Sequence, residues 1–105
     1  MSSFKTSTEA KAKTDINAHI LKHGGVYSKW YAGIAKDPEE RLFTDHKVSK
    51  TKGTWIHRKC STDTVSRRVE KHFLDKGCKG GPGGGDSSTK YVYAYKITSS
   101  TCEGC

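Results

Sequence analysis

Apolar positions along this chain change period several times, and each change marks an element. From Thr8 to His23, Ala12, Ile16 and Ile20 recur every fourth residue with Leu21 beside them, and Gly24 follows. That spacing predicts an amphipathic helix over 8–23 stopped by glycine. Val26–Tyr31 is rich in β-branched and aromatic residues and predicts strands around a tight reversal. Asp37-Pro38-Glu39-Glu40 reads as a helix start, with Asp37 as cap, proline at the first helical position and Glu40 completing a capping-box-like pair. This helix carries Arg41, Leu42, Phe43 and His46 and gives out in Lys47–Gly53. Thr54–Lys59 alternates like a strand. Thr62 or Asp63 opens a further helix through Lys76, with Val65, Val69 and Phe73 on one face and Gly77 closing it. Tyr91–Tyr95 is a strand whose tyrosines recur at every second position. The predicted order is helix, strand, strand, helix, strand, helix, strand. That is an α+β domain with a small, mainly antiparallel sheet flanked by helices.

Length adds one constraint. A chain of 105 residues has room for one domain and one modest core. Residues 1–7 are expected to be a flexible leader, 8–98 the domain and 99–105 a flexible tail. There is no internal repeat. No apolar run approaches a membrane span, and the first residues lack the apolar core of a secretory signal. These features point to a cytoplasmic protein with no membrane partner.

Charge changes the picture more. Nineteen Lys and Arg against eleven Asp and Glu leave a net +8. The bland account is solubility; the sharper one is a polyanionic partner, of which nucleic-acid backbone is the commonest. Candidate backbone contacts are Lys29, Lys36, Lys47, Arg58, Lys59 and Arg67. The cysteines Cys60, Cys78, Cys102 and Cys105 are expected to be reduced thiols. Cys102-Glu-Gly-Cys105 looks like half of a zinc site, but no second close pair accompanies it. His19 and His23 lie near the apolar stripe of the first helix and are read as satisfied structural residues. The run from Gly77 to Asp86 lacks the lysine and hydroxyl ending of a Walker loop. It is either a flexible connector or a loop whose amides approach phosphate.

Three segments then combine: Gly25-Val26-Tyr27, Tyr31-Ala32-Gly33, and the capped helix with Arg41. Together with a glutamate on the later helix, Glu70, they resemble the GIY-YIG nuclease family over roughly residues 25–95. The resemblance implies a nuclease fold and a divalent-metal-dependent endonuclease acting on DNA ahead of RNA. It gives Tyr27, Tyr31 and Arg41 catalytic roles, with His46, or else His57 on the next strand, standing in for the residue one turn after the arginine, where this chain has Asp45. Glu70 would hold Mg2+ (or Mn2+), and a partner protein would supply targeting. Two departures accompany it. Only Ser28-Lys29-Trp30 separates the two signatures, and the family's late asparagine has no secure counterpart.

Elementary chemistry bears on these roles. Phosphodiester hydrolysis builds negative charge on phosphoryl oxygens, and a planar guanidinium matches it. A phenol with a pKa near 10 costs about 4 kcal/mol to use as a base at neutral pH. Plainer accounts stand beside each role. Arg41 could be the ion-pair partner of Asp37 or Asp45, Glu70 a surface partner of Arg67 or Lys71, and either tyrosine a filler of the sheet face. Tyr27 and Tyr31 are expected to face one phosphate across a hairpin with a three-residue loop, the two-residue turn placing them on opposite sides. The rival function is a non-catalytic nucleic-acid-binding domain that keeps the fold. A third is an interaction protein that uses the Gly-rich loop and the CxxC tail.

Overall fold

The structure is a computed structural model that describes residues 6–80 and 87–103. The first helix, α1 (Glu9–Lys22), starts where Thr8 accepts a hydrogen bond from the Lys11 amide. It buries Ala12, Ile16 and Ile20, the positions its period picks out. It stops at Gly24 and Gly25, both at positive φ, a conformation that costs glycine little. Strand β1 (Trp30–Ala35), strand β2 (Trp55–Lys59), helix α2 (Asp63–Asp75) and strand β3 (Tyr91–Lys96) follow. Thr62 caps α2 by accepting from the Val65 amide. The sheet is antiparallel in the order β1-β3-β2, so the last strand is the central one. The chain is thus a small α+β fold with helices against an antiparallel sheet. Among the described residues no helix is long and apolar enough to cross a membrane.

Side chains alternate across the sheet. Trp30, Ala32, Ile56, Val92 and Ala94 face α1 and α2 and pack with Ile16, Ile20, Val69 and Phe73. On the opposite face Tyr93 and Tyr95 pack with Ala35, Leu42 and Val48, joined by Tyr31, Phe43, Trp55 and Ile97. Four consecutive residues of β3 are buried, as expected of a strand covered on both faces.

Three local expectations are corrected. Of the two strands expected around Ser28-Lys29, the second forms as β1 and the first does not. Tyr27–Lys29 is a single 3-10 turn leading into β1, so neither hairpin register exists. One edge of β1 pairs with β3, and its other edge exchanges hydrogen bonds with Lys79: Ala32 N to Lys79 O at 2.9 Å and Lys79 N to Trp30 O at 2.8 Å. No edge is left for Val26 and Tyr27 to join. The helix expected after Asp37 does begin with the Asp37 carboxylate accepting from the Glu40 amide at 3.2 Å. It widens at once into a π-helical segment, Glu40–Asp45, closed by His46 N donating to Arg41 O at 2.8 Å. Such widened turns recur at functional sites.

The third correction concerns the termini. Ser7 N donates to Lys59 O at 2.7 Å, which ties the end of the expected leader to β2. The expected free tail is docked as far as Glu103, because Cys102 N donates to His46 O at 2.7 Å. Cys102 is disulfide-bonded, whereas Cys60 and Cys78 are buried free thiols, so the four cysteines are not uniformly reduced. Most of the Gly-rich run, residues 81–86, lies outside the described residues.

Candidate functional site

Sheet register builds the site. Tyr31 of β1 lies opposite Tyr95, and Gly33 lies opposite Tyr93. The Tyr93 ring crosses β1 over Gly33: a β-carbon there would sit 2.5 Å from the hydroxyl oxygen and 2.6 Å from the ring carbon bearing it. The glycine of Tyr31-Ala32-Gly33 is therefore the space that the Tyr93 phenol occupies. Gly33→Ala should cost about 1–3 kcal/mol by overpacking and displace Tyr93. Thermal melts of Gly33→Ala, Tyr93→Ala and the double variant check this. The added cost should vanish when Tyr93 is already gone, and a cost that persists would refute the packing account.

The Tyr93 hydroxyl meets His46, which the π-helical segment delivers to the fully buried position beneath the sheet face. His46 Nδ1 lies 2.7 Å from the Cys102 carbonyl, an oxygen that can only accept, so Nδ1 carries the proton. Nε2 is then a lone pair and accepts from the Tyr93 hydroxyl at 2.8 Å. The Tyr95 hydroxyl, 3.2 Å from Nδ1, donates to the Glu103 carboxylate at 2.9 Å. Burial lowers the His46 pKa, partly offset by the Cys102 carbonyl. His46 is thus a neutral imidazole that orients Tyr93. Tyr31 stacks beside this cluster, its ring centre 4.6 Å from His46 and 5.3 Å from Tyr95.

Arg41 approaches from the π-helical segment. Its Nη1 donates to Asp45 at 2.8 Å, and its guanidinium is within electrostatic reach of the Tyr93 hydroxyl. The Asp45 pairing is the plainer role weighed for Arg41, and it also fixes the direction of the guanidinium fork. Arg41 and Asp45 line a cleft of about 450 Å³ with Ile34, Ala35, Lys36, Asp37, Glu40 and Thr89.

Glu70 comes from the helical side. It is 7% exposed, which overturns the reading as a surface partner of Arg67 or Lys71. Burial pushes its pKa up to about 7, with Arg67 only partly opposing, and its charge reaches Tyr93. One turn earlier, the buried Ser66 hydroxyl sits 2.8 Å from the Thr89 carbonyl, joining this face of α2 to the cleft wall. Among the described residues no three His, Cys, Asp or Glu side chains converge as a metal group. Glu70 would act as a lone carboxylate, and its chemistry fits: a cation would restore the ionised form that burial disfavours.

Tyr27 is elsewhere. It packs with the helix-side core, its hydroxyl donates to the Asn17 side chain of α1, and Lys76 Nζ lies 5.5 Å from its ring centre. Tyr27 and Tyr31 therefore do not share a face. The basic residues also divide. Lys36 lines the cleft, exposed Lys47 follows His46, and half-buried Lys59 ends β2 on the aromatic face. Arg58 points the other way and pairs with Asp15 of α1 at 3.0 Å. Arg67 lies 3.4 Å from Asp63 on α2, and Lys29 belongs to the 3-10 turn. The six do not form one stripe.

Sequence reasoning missed Tyr93, Tyr95 and Glu103. The tyrosines at every second position of β3 were the available signal for the first two; nothing local announced Glu103. No family model, curated protein or solved structure matches this chain.

Proposed function

We propose that this chain is a divalent-metal-dependent endonuclease that hydrolyses phosphodiester bonds in DNA, of the GIY-YIG kind, with Tyr93 in the role expected of Tyr27. The observation that carries the reading is the meeting of Tyr93 with His46 and Arg41 beside the Lys36–Arg41 cleft, with the field of buried Glu70 reaching the same hydroxyl.

The chain's own residues divide the work as follows. Arg41 and Lys36 hold the phosphate, and the remaining N–H groups of the Arg41 fork meet the oxygens on which charge develops. Burial pushes the Tyr93 pKa up to about 12, so ionising it at pH 7 would cost about 7 kcal/mol. That is too much for a base. Tyr93 instead acts as a neutral hydroxyl whose proton points at His46 and whose oxygen, also reached by the Arg41 guanidinium, orients an attacking water. Glu70 would hold Mg2+ (or Mn2+), which when bound neutralises the scissile phosphate and the departing oxygen.

Plasmid nicking with Mg2+ or Mn2+, against an EDTA control, is the test. Tyr93→Phe should lose at least about tenfold in rate, the value of one hydrogen bond of 1.4 kcal/mol. Tyr27→Phe should cleave like the parent. The reverse pattern would return the role to Tyr27. DNA binding without nicking in either metal would favour the non-catalytic nucleic-acid binder.

A further inference from the structure

Beneath the opposite face of the sheet, three buried side-chain nitrogens lack any hydrogen-bond partner: His19 Nε2, His23 Nδ1 and Trp30 Nε1. They are neighbours. The His19 and His23 ring centres lie 4.6 Å apart, and the Trp30 ring meets His19 edge-on at 5.6 Å. Buried polar atoms are paired in the great majority of cases, so three orphans in one place call for a common occupant. The two histidines, expected to be satisfied structural residues, are not.

We propose that His19 and His23, with Trp30 beside them, bind one late first-row divalent ion such as Zn2+, Ni2+ or Cu2+. His19 lies in the last turn of α1 and His23 is its C-cap, and the two rings meet at that end of the helix. An imidazole nitrogen about 2.0–2.1 Å from such an ion puts the ring centre about 3.2 Å away. Two imidazoles at right-angled to tetrahedral coordination then have centres roughly 4.5–5.2 Å apart, which includes the spacing found. His19 also carries the outer support typical of a ligand. The Trp55 backbone lies within reach of its ring, and a carbonyl accepting from Nδ1 would leave Nε2, the nitrogen without a partner, as a lone pair. Burial lowers the His19 pKa, which keeps the ring in its ligating neutral form. The Trp30 N–H can only donate, so it serves an oxygen ligand that completes the shell.

Surrounding charge limits the affinity. Lys22 and Arg58 both act on His19, and Lys96 Nζ sits 3.2 Å from the His23 carbonyl; Asp15 compensates by pairing with Arg58 at 3.0 Å. Imidazole nitrogen selects late transition ions over Mg2+, so this site is separate in place and in metal from Glu70. Because only the folded chain holds the two rings together, the ion would raise thermal stability.

The full chain is titrated with Zn2+ by calorimetry and with Cu2+ by electron paramagnetic resonance, in parallel with melting curves. One ion per chain with two nitrogen ligands is expected, along with quenching of Trp30 fluorescence by Cu2+ in a Trp55→Phe background. His23→Ala should weaken binding by at least about tenfold and abolish the Zn2+-dependent rise in melting temperature. His19→Ala should do the same, and if it fails to fold, His23→Ala decides. His72→Ala should bind like the parent. No bound ion, which would leave an ordered water as the occupant of the three nitrogens, overturns the proposal, as does binding unchanged in His23→Ala.

Discussion

Replacing Arg41 with alanine should slow plasmid nicking by about a hundredfold or more, the usual cost of removing one partner of transition-state charge, while barely moving the melting temperature. The two halves have different causes. The Arg41 and Asp45 side chains are 38% and 34% exposed, and pairs of that kind contribute about 0–1 kcal/mol to stability. Leu42, the neighbour that anchors the π-helical segment, is itself fully buried and is untouched by the substitution. Arg41→Lys separates charge from shape. Lysine keeps the positive charge but not the planar fork, so its rate should fall between alanine and the parent. Asp45→Asn supplies a control on the other side of the pair. It frees Nη1 from its fixed direction without removing the cation, and the loss should be smaller than for Arg41→Ala. Nicking by Arg41→Ala at the parent rate would reduce Arg41 to the plain ion-pair partner of Asp45.

Both long helices were legible because their signals are local. Ala12, Ile16 and Ile20 mark the buried stripe of α1 by spacing alone, and the caps Thr8 and Thr62 lie where the two apolar patterns begin. The antiparallel sheet was legible in kind. Its pairing was not, because the partner of Tyr31 is Tyr95, far along the chain. Val26–Tyr31 has strand composition, yet the Tyr27 hydroxyl finds Asn17 and the Lys79 segment takes the free edge of β1. Both contacts are invisible to a local reading, and together they move Tyr27 to the helix-side core, away from Tyr31. His46 could be picked out as a residue type beside Arg41. Its orientation depends on the Cys102 carbonyl, supplied by a segment that composition marks as tail. Glu70 shows the same limit. Arg67 and Lys71 flank it with charge, and only its packing distinguishes a buried carboxyl from a solvated one.

That buried carboxyl leads to an outcome in which activity and stability move in opposite directions. Glu70→Gln should abolish metal-dependent nicking and, at pH 8, make the protein more stable than its parent. In the folded chain the Glu70 pKa is raised from 4.5 to about 7, chiefly by burial. Between those values the folded state holds a proton that the unfolded state releases. The stability this confers is fully present below about 4.5 and is lost as the pH rises through about 7. Above that point the parent carries a buried charge worth about 3 kcal/mol against folding, from the gap between 4.5 and about 7. Glutamine has nearly the same shape and no charge to bury, so the difference between variant and parent should be small at pH 4.5 and approach that figure at pH 8. For a domain of this size it corresponds to roughly ten degrees or more in melting temperature. Mg2+ supplies the complementary arm. It should stabilise the parent at pH 8 by binding the ionised carboxylate, and leave the glutamine variant unmoved. A variant less stable than the parent at pH 8 would show that the Glu70 carboxylate has a compensating partner within the fold. Equal Mg2+ stabilisation of both proteins would place the metal elsewhere. The parent gives up stability at neutral pH by burying an ionisable carboxyl where an amide would serve the fold better, which is the cost expected of a group kept for its chemistry.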